Sequence, residues 1–279
     1  MDFTWNLLDW INKDLLDWSV LSANPNAVDL LKLNPDKIDW INLSRNPSAV
    51  HLLEANPDKI NWCELSKNPN ATHLLVNNLD KVDWQNLSGN TNAIQILEQY
   101  LDKVSWLELS SNPNALHILE KNIDKISWDM VSTNPSAIRF LQQNLDSTTA
   151  VLSLNPNAIC ILQNNIHKIS WYHLSANPNA ISLLEQHPSC IQWDILSLNP
   201  SAVHLLENNL ARVNFRNLSK NSNAIHILEK NLHKRLDWWA ISVNTNAIDL
   251  LKNNKNNISW RQFSTNTSIF EKISIKKSQ

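Results

Sequence analysis

The pattern serine, any residue, asparagine recurs twelve times along this 279-residue chain, at intervals of 21 to 23 residues that are mostly 22. A fixed period of this size is the signature of a repeat array, in which each unit buries its apolar face against the neighbouring units. The pattern therefore predicts a solenoid and disfavours a globule built around a single core. The twelve repeated asparagines are Asn24, Asn46, Asn68, Asn90, Asn112, Asn134, Asn155, Asn177, Asn199, Asn221, Asn244 and Asn266.

Asparagine followed by proline, as in Asn46-Pro47, is typical of a helix start, because the Asn side chain caps free backbone N–H groups and Pro loses nothing at the first helical position. Behind this pair, the apolar residues of segment 49–53 fall on one face of a helix. We therefore predict that a short helix begins at Asn46-Pro47 and ends near Asn56, a residue type that tolerates a left-handed closing conformation. The repeated asparagines have two possible structural roles, as local caps or as a ladder of hydrogen bonds between repeats.

A second helix start is indicated by a capping residue directly before a recurring aromatic residue, as in Asp39-Trp40. The helix predicted from Trp40 to about Arg45 places Trp40 and Leu43 together in the core. Isolated helices need about 12 to 15 residues to be even marginally stable in water, so stacking of the repeats must stabilise these helices. Tryptophan occupies the aromatic position in ten repeats, as Trp18, Trp40, Trp62, Trp84, Trp106, Trp128, Trp171, Trp193, Trp238 and Trp260, and the other two repeats have Thr149 and Phe215.

These signals predict an all-α fold, an α-solenoid of twelve 22-residue repeats with two short helices each. The alternative is a strand-containing solenoid like that of leucine-rich repeats, because segment 38–46 fits the template of that class. Other repeats break this template, since polar residues such as Gln85 and Asp129 stand at one of its apolar positions. The helical solenoid is therefore favoured.

The two ends of the chain depart from the repeat and are predicted to cap it. Residues 1–16 are amphipathic and carry acidic residues, which is unlike a secretory signal and predicts an N-terminal cap helix. Residues 17–268 are assigned to the solenoid, and residues 269–279 to a C-terminal closing helix or tail. No run of 18 apolar residues occurs in the sequence, so we predict no membrane span.

Composition disfavours several classes of function. The single glycine, Gly89, leaves no glycine-rich loop to hold phosphate, so no nucleotide or other cofactor is expected. The chain has 24 Lys and Arg against 26 Asp and Glu, a net charge of −2, and acid-base pairs such as Asp58-Lys59 recur, whereas nucleic-acid binding needs uncompensated basic residues. Three cysteines at unrelated repeat positions indicate reduced thiols in an intracellular, soluble protein.

The repeat also resembles a known type. Residues 109–122 read Leu-Ser-Ser-Asn-Pro-Asn-Ala-Leu-His-Ile-Leu-Glu-Lys-Asn, and residues 124–128 read Asp-Lys-Ile-Ser-Trp. This motif resembles that of the short tandem-repeat proteins encoded by giant DNA viruses of the mimivirus-like group, over roughly residues 17–268. The resemblance implies a viral origin, in the host cytoplasm or the virion, and a scaffold rather than an activity. It carries no catalytic residue onto this chain.

Residues that act on a partner are expected where the repeats differ and where side chains point outward. The position seven residues after each repeated serine lies on the outward side of a predicted helix. Its candidate partner-facing residues are His51, His73, His117, Arg139, His204 and His226. A metal site is disfavoured, because stacked helices lie about 8 to 10 Å apart whereas zinc holds imidazole nitrogens at about 2.0 to 2.1 Å.

The sequence thus favours a non-enzymatic repeat scaffold that mediates protein–protein interaction, with variable exposed residues as its working surface. The exposed positions after each tryptophan belong to this surface together with the histidine column. A structural or cement component of a virion is the alternative, and an RNA-binding solenoid or an enzyme is less favoured. An enzyme would need a cluster of reactive residues that interrupts the repeat, and the serines recur too regularly to be one nucleophile.

Overall fold

The computed structural model describes residues 3–274 of the chain. Short helices recur through the repeats as expected, so the predicted all-α solenoid of short-helix repeats is confirmed. The described residues contain only two strands, and both lie outside residues 17–268, so the strand-containing alternative is wrong. The chain divides into two compact units, Met1–Asp83 with Asp237–Gln279 and Trp84–Leu236.

Most repeats contain a short helix that starts at the aromatic position, here called the aromatic helix. As predicted, the preceding residue caps it: Asp39 Oδ1 accepts a hydrogen bond from Asn42 N at 2.9 Å. The repeat that has Thr149 at this position forms a 3-10 helix, Ala150–Leu154, and the Thr149 side chain caps nothing. The aromatic helices are α1 (Trp18–Leu21), α3 (Trp40–Ser44), α5 (Trp62–Ser66), α7 (Trp84–Ser88), α9 (Trp106–Ser111), α11 (Trp128–Thr133), α14 (Trp171–Ala176), α16 (Trp193–Leu196), α18 (Phe215–Leu218), α20 (Trp238–Val243) and α22 (Trp260–Phe263).

A second helix, here called the leucine helix, carries the paired large apolar residues of the repeat. Its predicted start at Asn46-Pro47 is wrong by about three residues, because α4 begins at Val50. Asn46 Oδ1 accepts from Ser48 N at 2.9 Å and closes a turn, so the chain becomes helical only after Ala49. The leucine helices are α2 (Val28–Lys32), α4 (Val50–Glu54), α6 (Thr72–Val76), α8 (Ile94–Gln99), α10 (Leu116–Leu119), α12 (Ile138–Gln143), α13 (Ile159–Gln163), α15 (Ile181–Gln186), α17 (Val203–Glu207), α19 (Ile225–Glu229) and α21 (Ile248–Asn253).

The leucine helix ends through a side chain rather than through a left-handed residue. Asn56, expected to take the left-handed conformation, has φ of −138° and donates from its side-chain amide to Leu52 O at 2.9 Å. That bond satisfies a carbonyl that the helix end leaves free. In most repeats a 3-10 turn then leads to the next repeat, as in Pro57–Lys59. No helix in residues 3–274 is both long enough and apolar enough to cross a membrane.

The core of each unit is formed by the same three positions of successive repeats. In the second repeat these are Leu43 of the aromatic helix, Ala49 of the turn and Leu53 of the leucine helix, all with no exposed surface. The serine and asparagine that define the period, here Ser44 and Asn46, are equally buried. Burial of polar groups is costly unless they are hydrogen-bonded, so these two columns must find partners inside the array.

The tryptophans are not fully buried, which corrects their assignment to the core. Trp40 is half-buried, as are the other tryptophans that begin aromatic helices. The lysine of the following connector lies over the ring, with Lys59 Nζ 4.6 Å from the centroid of the Trp40 ring. The half-buried indole is thus partly covered by a cation–π contact.

The predicted cap helix at residues 1–16 is wrong. Strand β1 (Phe3–Leu7) lies there and pairs antiparallel with β2 (Phe270–Ser274), so that Phe3 is opposite Ser274 and Leu7 opposite Phe270. The predicted closing helix at residues 269–279 is a strand over the part that the structure describes, and residues 275–279 lie outside the described residues. A strand forms because each end supplies the hydrogen-bonding partner of the other, and local sequence does not reveal this pairing.

The first and last repeats contact each other inside the unit that contains both ends. Asp17 N donates to Ser264 Oγ at 2.8 Å, and Asn24 Nδ2 donates to the carbonyls of Ser264 and Asn266, both at 3.1 Å. Repeats adjacent in sequence make the same three bonds. The last repeat therefore covers the side of the first repeat that was expected to need a separate cap.

Candidate functional site

The repeated asparagines act as caps and as a ladder at the same time. Asn46 Oδ1 accepts from Ser48 N, while its Nδ2 donates to Ser22 O at 3.0 Å and Asn24 O at 2.9 Å in the preceding repeat. All polar atoms of the buried amide are thus paired with backbone. The same two ladder bonds are made by Asn24, Asn46, Asn68, Asn112, Asn134, Asn155, Asn177, Asn199, Asn221 and Asn266.

The repeated serines also join neighbouring repeats. Ser44 Oγ donates to Trp40 O at 2.7 Å and accepts from Asn61 N, in the next repeat, at 2.9 Å. Ser44 has no exposed surface. A hydroxyl that is buried and bonded on both sides has a structural role and is not accessible to a substrate.

A second asparagine column, which sequence analysis did not identify, lies four residues after the repeated serine. Asn70 Nδ2 donates to Pro47 O of the preceding repeat at 2.9 Å. The signal was present in the sequence, where this position is always Asn or Ser, but it looked like ordinary turn composition. Equivalent bonds are made by Asn26, Asn70, Asn114, Asn157, Asn179 and Asn223.

Four of the six predicted partner-facing residues bind the carboxylate of a glutamate on the preceding leucine helix. Each glutamate lies 19 residues before its histidine, and about half of each histidine side chain stays exposed. A search for charge pairs at that spacing would have found them. The pairs, with Nε2–Oε1 distances, are His73–Glu54 at 2.8 Å, His117–Glu98 at 2.6 Å, His204–Glu185 at 3.0 Å and His226–Glu207 at 2.6 Å.

The other two predicted residues, His51 and Arg139, lie at equivalent positions in different surroundings. The residue 19 before His51 is Lys32, a cation that pairs with Asp29 at 3.7 Å. Arg139 and Glu120 line the same open pocket of about 410 Å³ between two leucine helices. The histidine column is therefore partly engaged within the molecule, and the structure does not bring its six residues together into one site.

Lysines of the connectors bind aromatic rings. The acid-base pairs of the sequence suggested that the neighbouring aspartates compensate these lysines, but Lys59 lies over Trp40 in a cation–π contact. In two repeats whose connector has no lysine or arginine at this position, another ring lies against the tryptophan: Phe140 stacks on Trp128 at 5.6 Å, and His187 lies 5.0 Å from Trp171. The repeated cation–π pairs are Lys37–Trp18, Lys59–Trp40, Lys81–Trp62, Lys103–Trp84, Lys125–Trp106, Arg212–Trp193 and Lys234–Phe215.

The residue directly after the aromatic position varies in type along the chain and is exposed in every repeat but the first, where Ser19 is half-buried and donates to Asp39 Oδ2 at 2.7 Å. Successive aromatic helices pack side by side within each unit, so these residues form a row, here called the variable row. Leu107 and Tyr172 expose 52% and 57% of their surface there. In the unit Trp84–Leu236 the row is Gln85, Leu107, Asp129, Ala150, Tyr172, Asp194 and Arg216. In the other unit, taken by itself, the corresponding exposed residues are Ile41, Cys63, Trp239 and Arg261.

The cysteine of the variable row has the properties of an unactivated thiol. Cys63 Sγ lies 3.4 Å from Asp83 Oδ2. Burial, together with the hydrogen bond to Asp83 and the negative charge of that carboxylate, raises the pKa of the Cys63 thiol. A raised pKa keeps sulfur in the protonated, weakly nucleophilic form. Within residues 3–274 no group of three His, Cys, Asp or Glu side chains converges in a way that could hold a metal ion.

No protein-family model, no curated protein and no solved structure matches this chain.

Proposed function

We propose that this protein is a non-enzymatic scaffold that binds a protein partner through its variable row. The observation that carries the proposal is the contrast between two classes of side chain. The repeated Ser, Asn and Leu residues are buried and engaged between repeats, whereas the variable row is exposed and changes in residue type along the chain. The variable row therefore distinguishes one part of the surface from another.

The apolar members of the row support binding to a protein. Leu107 and Tyr172 are more than half exposed in one unit, and Ile41 and Trp239 expose 58% and 55% in the other. A single exposed apolar residue is ordinary on a protein surface. Tyrosine and tryptophan presented by short helices that are rigidly stacked are, however, the residue types that dominate binding energy at protein interfaces. Polar members such as Asp194 and Arg216 then supply specificity.

Three features support a role without catalysis, cofactor or nucleic acid. The repeated hydroxyl of Ser44 is buried and bonded on both sides, and the Cys63 thiol has a raised pKa. Most connector lysines, such as Lys59, lie over aromatic rings, so they are not arranged as a track for phosphates. We include in the proposal the giant-virus origin that the repeat motif implies, and action inside the host cell.

A capture experiment with matched variants tests the role of the row. Three immobilised proteins are exposed to extract from cells that contain the protein naturally. They are the wild type, the row variant Leu107→Ser/Tyr172→Ser and, as the control, the histidine-column variant His117→Ser/His204→Ser. Bound proteins are then quantified by mass spectrometry. All four substituted positions are about half exposed, so neither variant is expected to change the thermal unfolding curve.

The expected result is a set of proteins retained by the wild type and by the His117→Ser/His204→Ser control but lost from the row variant. Retention of the same set by the row variant would refute the role of the variable row. Loss from the control alone would assign binding to the leucine-helix face instead.

A further inference from the structure

One segment of this weakly acidic chain, slightly longer than a repeat, is strongly basic. Residues 209–236 contain six of the 24 Lys and Arg residues but only one of the 26 Asp and Glu residues, Glu229. The same segment includes the longest repeat interval, 23 residues from Ser219 to Ser242, and the only repeat with Phe in the aromatic position. The six bases are Arg212, Arg216, Lys220, Lys230, Lys234 and Arg235.

The fold brings part of this basic segment together around a pocket. Asn214, Phe215, Arg216, Lys234 and Arg235 line an open pocket of about 360 Å³, here called the basic pocket. The lining combines residues before and within α18 with the enlarged connector that follows α19. The extra residue of that connector places two consecutive cations, Lys234 and Arg235, beside the aromatic position, where other repeats place one.

The aromatic ring holds its lysine less closely here than elsewhere. Lys234 Nζ lies 5.8 Å from the centroid of the Phe215 ring, against 4.6 Å for Lys59 over Trp40. Phenylalanine is also a weaker cation–π partner than tryptophan. The Lys234 ammonium is therefore held less strongly by Phe215 than the Lys59 ammonium is by Trp40, and it is more available to an anion.

The lining of the basic pocket contains three cationic side chains, Arg216, Lys234 and Arg235. Among the residues that the structure describes, no carboxylate lines the pocket itself. The carboxylate of Asp194 accepts a hydrogen bond through Oδ1 from Asn214 Nδ2 at 3.2 Å. The pocket lining is thus locally positive on a protein whose net charge is −2.

We propose that the basic pocket binds an acidic segment of the protein partner, with Asp or Glu carboxylates held by Lys234 and Arg235. This inference rests on the proposed scaffold function and names the chemistry of one partner contact. The Arg235 guanidinium can bind a carboxylate through two hydrogen bonds, and Lys234 adds a point charge. The edge of Phe215 offers apolar contact to the side chain next to the carboxylate.

A peptide fits this site better than a nucleic acid does. The basic segment 209–236 is bordered in the sequence by the acids Glu207 and Asp237, which interrupt the positive charge on either side. A nucleic acid presents a charge at every phosphate and needs a continuous basic track. A short acidic segment needs positive charge over only a few residues.

The test uses a fluorescein-labelled peptide of eight glutamates, with a peptide of eight glutamines as the neutral probe, and measures fluorescence anisotropy at low ionic strength. The full-length protein is compared with Lys234→Ala/Arg235→Ala. The control is Lys103→Ala/Lys121→Ala, which removes the same charge in another repeat, and Lys103 covers Trp84 as Lys234 covers Phe215. Thermal unfolding of each variant establishes that it is folded.

The expected result is binding of octaglutamate, but not octaglutamine, to the wild type and the control, with affinity at least about tenfold weaker in Lys234→Ala/Arg235→Ala. Equal weakening in both double variants, or no octaglutamate binding by the wild type, would overturn the proposal. Tighter binding of a single-stranded oligonucleotide with eight phosphates would also overturn it. None of these results affects the capture experiment on Leu107 and Tyr172, so the two proposals fail separately.

Discussion

The side-chain amide of Asn24 donates a hydrogen bond to the backbone carbonyl of Asn266, 242 residues later in the chain, at 3.1 Å. Asn46 makes the same bond to Asn24, only 22 residues earlier. The contact between the first and last repeats is thus chemically equivalent to a contact between sequence neighbours. In the unit that contains both ends, two repeats therefore pack in the same way whether or not the chain connects them directly. This equivalence can be tested.

We expect a circular permutant to fold. Phe3 is paired with Ser274, so a Gly-Ser linker inserted between the natural ends can close the chain. New ends are placed in the exposed connector between Pro57 and Asp58. The permutant is expected to give the helical circular dichroism spectrum of the natural chain, with a similar thermal midpoint. A control permutant opened at buried Leu53 should lose stability, and failure of both to fold would contradict the equivalence of the two contacts.

Replacing a repeated asparagine should cost more than the loss of a helix cap. Asn177 Oδ1 accepts from Asn179 N at 3.0 Å, and its Nδ2 donates to the carbonyls of Ser153 and Asn155 at 3.0 and 2.9 Å. A lost cap costs about 0.5 to 2 kcal/mol, and the Ser153 carbonyl left without a partner adds about 1 to 3 kcal/mol, whereas the Asn155 carbonyl still accepts from Ala158 N. Asn177→Ala is therefore expected to lower the free energy of unfolding in urea by about 1.5 to 5 kcal/mol.

The control for that measurement is the neighbouring ladder. Asn179 is exposed and makes one bond between repeats, to Pro156 O at 3.0 Å, so Asn179→Ala should cost about 0.5 to 1.5 kcal/mol. Equal losses for the two variants would show that the buried ladder contributes no more than the exposed one.

Adjacent serines provide a sharper comparison. Buried Ser110 donates to Trp106 O at 2.6 Å and accepts from Ser127 N at 3.0 Å, whereas exposed Ser111 only donates to Glu108 O at 2.8 Å. Ser110→Ala leaves a buried backbone N–H without its partner, at a cost of about 1 to 3 kcal/mol. Ser111→Ala should stay within about 0.5 kcal/mol of the wild type. The two free energies of unfolding are compared by urea titration, and similar values would argue against a structural role for the serine column.

The attachment of β1 is expected to depend on pH through Asp29. Burial favours the neutral carboxyl, but hydrogen bonds from Trp5 N at 3.0 Å and Thr4 Oγ1 at 3.1 Å, together with Lys32, outweigh burial and lower the pKa of Asp29 below its usual 3.8. Because the pKa is lower in the folded state, the carboxylate stabilises this attachment fully above about pH 4, and the stabilisation is lost as pH falls through the folded-state pKa.

Nuclear magnetic resonance of the Trp5 backbone amide checks this expectation. Its chemical shift should change with a midpoint below 3.8 in the natural protein and should lose that step in Asp29→Asn. Asp58→Asn, which changes an exposed aspartate of a connector, should leave the step in place. A step that persists in Asp29→Asn would assign the titration to another group.

The sequence predicted what depends on local chemistry. Asp39 caps Trp40 as expected, since a capping side chain acts within its own turn. The error at Asn46 arose because the same side chain closes a tight turn, and this delays the helix to Val50. Both outcomes follow from the geometry of four or five consecutive residues, for which sequence rules are well founded.

What the sequence did not predict depends on how repeats meet. The pairing of Phe3 with Ser274 has no local signal, because the two paired strands lie at opposite ends of the chain. The bond between His73 and Glu54 requires the spacing of 19 residues that stacking creates. The half-buried state of Trp40 likewise depends on Lys59, which lies in the connector to the next repeat.

The side chains of Asn46 and Ser44 bond only to main-chain atoms of the neighbouring repeats. Every L-amino acid except proline offers the same N–H and C=O groups, so these joints do not depend on which side chains the adjoining module carries. Modules can therefore be duplicated, exchanged or reordered by recombination without new joints having to evolve. Recombination of whole 22-residue modules would change the order of the exposed residues faster than point substitution allows.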